Sequence, residues 1–326
     1  MFTKCRILFP TDFSHYALRA LRYAIALAKQ FDGHVQLVHV LDTDQFRSGD
    51  KHGIALTDLD LSALYDSMQD HAEERMVSLI ENLEENGVKA VSTIVRGNPM
   101  AVLPEIATQK HCDLVVIATH GRTGFEHAVF GSTAERVVRC ATVPVLSVKH
   151  PEHEFVSDPE FQIRIDKVLF PTDFSEFSDK ALAYAASLCR EFRAKLLIQH
   201  ACELPVVLPE MLPENTNSLG ENLADHARQI LNDLGAGLGD VKHEVVVNTG
   251  LAFREICKTV EREDVDLVVM PTHGRAGLSH FLFGSVAEKV VRMAKCPVMT
   301  IRPIVPVSEE TDAPEGEYTA PINAPA

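Results

Sequence analysis

At 326 residues, 46% apolar and 24% charged, the chain has the composition of an ordinary folded protein and the length of two domains. A formal net charge of −15 and a pI near 5.4 set up a field that repels nucleic-acid backbones and anionic membranes, which excludes both as general partners. No run approaches the ~20 apolar residues of a membrane span, and MFTKCRILFP reads as a buried strand rather than a secretory leader, so a cytoplasmic location is expected.

In chain order, CRILFP predicts a first strand. The segment 14–31 then carries helical spacing through Ala17, Leu21, Ala24 and Ala28. HVQLVHVL is a second strand, followed by a polar loop over about 42–55 and a long amphipathic helix that stops at Asn86-Gly87. VKAVSTIV is a third strand and Pro99 opens the next helix. DLVVIATH, a glycine-containing loop, a fourth helix over 131–141 and the strand VPVLSVK complete a unit of about 150 residues. The unit then repeats. LFPTDFS stands at 8–14 and, letter for letter, at 169–175; DLVV at 113–116 and 266–269; THGRTG at 119–124 answers THGRAG at 272–277; FGSTAERVVR at 130–139 answers FGSVAEKVVR at 283–292. Their preserved order marks the duplication of a whole domain, with a Pro-rich connection at 203–217 replacing the first polar loop.

Five strand runs alternating with helices predict an α/β fold of two tandem doubly wound domains, each with a five-stranded parallel sheet in the order 3-2-1-4-5. The boundaries read as domain one over 1–150, a polar, acidic, proline-marked linker over 151–164, domain two over 165–305, and a disordered acidic Pro/Ala-rich tail over 306–326. Seven cysteines, an odd number without CxxC, sit mostly in apolar segments and predict buried thiols rather than disulfides, redox chemistry or a metal site. The apolar last strands, VPVLSVK and CPVMTIRP, are edges that invite pairing, so the two copies are expected to join there as an intramolecular pseudo-dimer.

In an open α/β sheet, ligands bind outside the carboxyl ends of the strands at the switch in strand order. Pro10, Thr11 and Asp12 end the first strand; Ala118, Thr119, His120 and Gly121 end the fourth; both blocks recur as Pro171, Thr172, Asp173 and Pro271, Thr272, His273, Gly274. Gly131 and Gly284 open a helix whose first N–H groups suit phosphate, and the other reading is a plain helix-start glycine. Ser132-x-x-Glu135 and Ser285-x-x-Glu288 fit capping boxes, so these serines cap, touch phosphate, or both. Asp12 and Asp173 would repel phosphate; they suit a ribose hydroxyl or a base amino group, or else they are turn or cap aspartates before the first helix, with Ser14 and Ser175 as the alternative N-caps. Arg122 and Arg275 screen phosphate or stay solvated. No Walker A, G-x-G-x-x-G or G-x-S-x-G motif is present, so no catalytic residue is assigned.

These blocks resemble the universal stress protein family, whose nucleotide-binding members carry Gly-x2-Gly-x9-Gly-Ser/Thr after the fourth strand and an aspartate after the first. Here the copies read Ala118-x2-Gly121-x9-Gly131-Ser132 and Pro271-x2-Gly274-x9-Gly284-Ser285. The resemblance spans about 4–149 and 166–303. It implies an adenine-nucleotide alpha-hydrolase-like fold and a stress-response protein that binds ATP or a related adenine nucleotide, with Mg2+ on the phosphates. By the same resemblance, adenine lies near Asp12 and the backbone of Val40, or near Asp173 and Ala201, with Thr133 and Val286 beside the phosphate serines. Both copies depart from the leading glycine. Alanine keeps its N–H, whereas Pro271 removes a donor and predicts weaker binding by the second copy. A ligand-free scaffold for an unidentified protein partner, a homodimer of the tandem chain, and a slow ATPase or self-phosphorylating protein accepting at Ser132 or Thr133 are the alternatives.

Overall fold

The computed structural model describes residues 4–42, 58–119, 130–149, 153–157, 159–203, 216–273 and 283–302. The first copy runs β1 (Arg6–Pro10), α1 (His15–Gln30), β2 (His34–Leu41), α2 (Asp58–Glu85), β3 (Lys89–Arg96), α3 (Pro99–Gln109), β4 (Leu114–Ala118), α4 (Ser132–Cys140) and β5 (Val145–Val148). The second runs β6 (Lys167–Pro171), α5 (Ser178–Phe192), β7 (Lys195–Cys202), α6 (Thr216–Ala236), β8 (His243–Thr249), α7 (Ala252–Glu263), β9 (Leu267–Pro271), α8 (Ser285–Met293) and β10 (Val298–Ile301). The strand order is β3-β2-β1-β4-β5-β10-β9-β6-β7-β8, so each half has the expected 3-2-1-4-5 order. All neighbours are parallel except β5 and β10.

The central strands lose their alternation because helices cover both faces: Ile7, Leu8 and Phe9 are all fully buried. One apolar layer, under α1, α2, α5 and α6, joins Tyr23, Leu37 and Met76 to Phe170, Leu188 and Leu231. The other, under α3, α4, α7 and α8, joins Val115 and Val137 to Val268 and Val290. Both layers pass unbroken from one copy into the other. Burial pushes the thiols of Cys5 and Cys189 up to about 12 and those of Cys112 and Cys257 up to about 11, so these groups stay protonated at neutral pH. All seven cysteines are free.

The seam lies where the apolar last strands meet. Val298, Met299 and Thr300 pair antiparallel with Ser147, Leu146 and Val145, the pairing that a two-fold relation between two parallel sheets requires at their shared edge. Matched residues meet across it, as Phe31 does Phe192 with ring centroids 6.1 Å apart. A chain ending at His150 leaves the β5 edge and Leu146 bare, and is expected to dimerise through them. Sedimentation equilibrium reads this directly, and a well-folded monomer at high micromolar concentration overturns it.

The connecting segment departs from a simple polar linker. Phe155 and Val156 within it are buried, as is Ile165 immediately after it, and Phe155 packs edge-on to Tyr23 at 4.9 Å. Glu154 pairs with Arg19 and Arg22 of α1, each at 3.0 Å, and neighbouring His153 bonds Asp266 of the second copy at 2.6 Å. Two buried apolar residues in the polar stretch, with Ile165 at its end, dock it. The tail from 306 onward lies outside the described residues.

Candidate functional site

The PTDFS turn that ends β1 is a set of short side-chain bonds. Thr11 Oγ1 accepts from Phe13 N at 3.0 Å, Asp12 Oδ1 accepts from Ser14 N at 2.9 Å, and Ser14 Oγ caps α1 by accepting from Ala17 N at 3.2 Å. Phe13 sits at φ 61°, in the left-handed region a bulky residue rarely adopts. Its surroundings hold it there: the His39 ring lies 4.4 Å from its ring, and the Arg75 guanidinium lies 4.6 Å over it while donating to Phe13 O at 3.0 Å. His39 Nδ1 donates to the Thr11 carbonyl at 2.7 Å, which fixes the tautomer because a carbonyl only accepts.

The second copy reproduces the turn. Phe174 has φ 62° with His200 stacked at 4.2 Å, His200 Nδ1 donates to Thr172 O at 2.8 Å, and Asp173 Oδ1 accepts from Ser175 N at 3.1 Å. Here the expected Ser175 cap is corrected. Helix α5 begins later, after Phe177, which caps without a side-chain bond. Asp173 Oδ1 instead also accepts from the Ser178 hydroxyl at 3.5 Å.

Across the switch point, the start of α4 folds back on the end of β4. Gly131 N donates to Thr119 O at 2.8 Å, and a Cβ on Gly131 would stand 3.2 Å from that same oxygen. Its φ of −63° suits any residue, so the glycine serves close approach rather than an unusual angle. The second copy matches it, with Gly284 N donating to Thr272 O at 2.9 Å and a Cβ at 3.0 Å. The capping-box reading of Ser132 and Ser285 is corrected as well. The N-caps are Gly131 and Gly284, which leaves Glu135 and Glu288 one position too late to reach back. Each glutamate pairs instead with Arg139 or Arg292 at 3.0 Å. The first helical bond runs from Glu135 N to Gly131 O, so the N–H groups of Ser132, Thr133 and Ala134 belong to the first turn, which has no intrahelical acceptor.

These elements enclose a cleft of about 450 Å³, lined by Pro10, Thr11, Asp12, Val40, Ala118, Gly131, Ser132 and Thr133. Every described first-copy residue singled out from the sequence is thus brought to one place. Phe13, His39, Asp42, Met68 and His71 also line it and were not singled out. One signal for the histidine was available: His39 and His200 each follow their threonine by 28 residues. His120, Gly121, Arg122, Gly274 and Arg275 lie outside the described residues.

In the second copy, Pro171, Thr172 and Asp173 end β6, Ala201 stands near the end of β7, and Gly284, Ser285 and Val286 start α8. His273 Nδ1 bonds the Thr272 hydroxyl at 2.8 Å. Among the described residues, no group of three or more His, Cys, Asp or Glu is placed to hold a metal, and no helix is long and apolar enough to cross a membrane.

The family model for universal stress proteins matches residues 5–149 and again 164–302. The chain belongs to the universal stress protein family. A universal stress protein of Methanocaldococcus jannaschii is 34% identical over 149 residues, covering 46% of this chain and 84% of its own length. A universal stress protein of Synechocystis is 24% identical over 311 residues, 91% of this chain and 99% of its own, so that likeness runs through both copies. The crystal structure of an Archaeoglobus fulgidus universal stress protein superposes with a TM-score of 0.65 at 22% identity, over 93% of this chain and 97% of that one. That likeness shows the fold.

Among the described residues of this universal stress protein, two histidines have a pKa lowered from the ordinary 6.5: His273, by burial and then Arg302, and His34, by burial and then Arg6. Well above pH 6.5 both are neutral in the folded and unfolded chain. Below it the unfolded chain takes up protons that the folded one resists, so stability is lost as pH falls toward the folded values. The melting temperature is expected to drop between about pH 7 and about pH 5.5, and less in a His34→Gln, His273→Gln double variant. Equal slopes in the two proteins would contradict this.

Proposed function

We propose that the protein binds an adenine nucleotide, ATP with Mg2+ on its phosphates, in the first-copy cleft and more weakly at the matching place in the second, as a regulatory switch in a stress response. The observation that carries this reading is the start of α4. A glycine packed against the end of β4 brings first-turn N–H groups to the wall of a cleft of nucleotide size, where the helix dipole favours an anion.

In this arrangement the N–H groups of Ser132, Thr133 and Ala134 hold phosphate oxygens, and Gly131 leaves room for them. Asp12, turned by its bond to Ser14 N, faces the sugar or base beside the Val40 backbone, away from the phosphates it would repel. Val38, Val40 and Ile117 give the base an apolar wall. Bound Mg2+ supplies charge neutralisation on the phosphates; Mg2+ is commonly held by phosphates and water rather than by an all-protein cage.

The test is the nucleotide content of the purified chain, read by mass spectrometry after denaturation, together with calorimetric titration by Mg-ATP. Adenine nucleotide in the extract and saturable ATP binding support the reading. An empty protein that shows no heat with ATP supports the scaffold instead. Phosphate release that survives repurification would add slow hydrolysis.

A further inference from the structure

The first-copy cleft and the matching place in the second copy are joined by hydrogen bonds that cross the seam twice. Thr119 accepts from Gly131 N through its carbonyl and donates its own N–H to Val148 O at 3.0 Å, which ties the first cleft to the end of β5. The next residue, Lys149, extends its ammonium into the other copy and donates to the carbonyl of Arg292 at 2.9 Å, in the last turn of α8. Helix α8 starts at the matching place in the second copy, where Gly284 N is bonded to Thr272 O. Thr272 N donates to Ile301 O at 3.0 Å at the end of β10. The next residue there, Arg302, crosses back and donates to the carbonyl of Cys140 at 2.9 Å, the last residue of α4. Helix α4 in turn starts at the first cleft, and the path closes.

Lys149 and Arg302 occupy matched positions, and the duplication has built a similar cap twice, one residue apart: Arg302 reaches the last carbonyl of α4, at Cys140, and Lys149 the last but one of α8, at Arg292. Each cation satisfies a carbonyl that the helix itself leaves open and complements the negative end of the dipole. Each of these helices is only nine residues long. Fixing its C-terminal turn therefore acts on an element whose opposite end faces the ligand cleft. Lys180 of α5 holds the Arg302 carbonyl at 3.4 Å, which steadies the second crossing.

We propose that Lys149 and Arg302 are positioning residues for the phosphate-facing helix of the opposite copy, so that each cleft depends on a cation from the other domain and the two sites are coupled. This inference rests on the nucleotide reading of the clefts. Bonds within one copy predict dependence of a site on its own domain; the crossed caps predict the reverse, and a merely structural role for the seam predicts no preference.

The experiment titrates Mg-ATP into the full-length chain and follows the Gly131 and Gly284 amide resonances, which report the two sites separately. Lys149→Gln is expected to raise the ATP Kd read at Gly284 by about fivefold or more, and to change that at Gly131 less. Arg302→Gln is expected to raise the Kd read at Gly131 by a similar factor. Its effect at Gly284 is not diagnostic, because the Arg302 charge also acts on His273. Lys149→Arg restores the Gly284 reading, and Lys149→Met, which keeps the aliphatic stem, gives the same result as Gln if Gln disturbs the strand. A Lys149→Gln chain that binds ATP at Gly284 as the parent does, or that loses affinity mainly at Gly131, overturns the proposal. If neither glycine of the parent chain responds to ATP, the nucleotide reading itself has failed. Amide exchange in the ligand-free chain then decides the positioning role: Gly284 must exchange faster in Lys149→Gln and Gly131 faster in Arg302→Gln, and unchanged remote exchange overturns it.

Discussion

Gly131→Val is expected to weaken ATP binding at the first site by about a hundredfold, ~2.7 kcal/mol, while the chain keeps its native circular dichroism. The backbone angles at Gly131 suit valine, so no torsional strain opposes the change. The obstacle is space. Its Cβ alone would stand 3.2 Å from Thr119 O, and the two methyl groups beyond it enter the wall of the cleft. There they screen the first-turn N–H groups of α4 and hold phosphate away from the helix end. The bond from residue 131 N to Thr119 O lengthens as the helix start gives way, at a cost to folding of ~1–3 kcal/mol, typical of overpacking. Gly131→Ala separates the two effects. It adds only the Cβ and is expected to lose part of the affinity at a smaller stability cost. Unchanged ATP affinity in a folded Gly131→Val chain would sink the proposed pocket.

The fold was legible because the chain states it twice. Apolar runs such as RILFP and LVVIA, too short for helices and separated by helical spacing, identify buried parallel strands. The repeated PTDFS and FGS blocks then place the switch point without structural knowledge. The seam followed from a second physical argument, that VPVLSVK and CPVMTIRP are too apolar to stay exposed edges, and β5 does pair with β10.

What escaped the sequence depends on partners far apart in the chain. Arg75 and Phe13 are separated by 62 residues, and nothing local marks that arginine as the brace of a left-handed turn. Ser132-x-x-Glu135 misled because the motif assumes the serine precedes the helix. The close contact of Gly131 with Thr119 O starts the helix one residue earlier and moves the glutamate out of reach. The average composition of the 151–164 segment is polar and does not show that Phe155 and Val156 individually find apolar surface.

Nucleotide affinity is expected to be unequal, with the first copy tighter than the second. The difference that motivates this is Ala118 against Pro271, the last residues of β4 and β9. Thr119 N bonds β5 and Thr272 N bonds β10. Successive residues of a strand point their N–H groups to opposite sides, so position 118 or 271 faces the other neighbour, β1 or β6. There the ladders have already ended, at Leu8 with Val115 and at Leu169 with Val268. Proline is therefore tolerated at 271 without losing a ladder bond, and the donor it lacks is expected to be missing from the proposed second site instead. A ligand acceptor left unmet there costs ~1–3 kcal/mol, roughly 5- to 150-fold in affinity. A second difference acts in the same direction. Arg75 braces the Phe13 turn in the first copy, whereas among the described residues the Phe174 turn is held by the His200 ring and by the Thr172 and Asp173 side-chain bonds, with no guanidinium over the ring. Against this, Asp173, Gly284 and Ser285 keep their places, so the second site is expected to retain weaker binding. Calorimetry on Gly284→Val reads the first site and on Gly131→Val the second, while Pro271→Ala in the Gly131→Val background is expected to recover part of the lost affinity. Equal affinities at the two surviving sites, or a tighter second site, would show that the proline at the end of β9 does not govern binding.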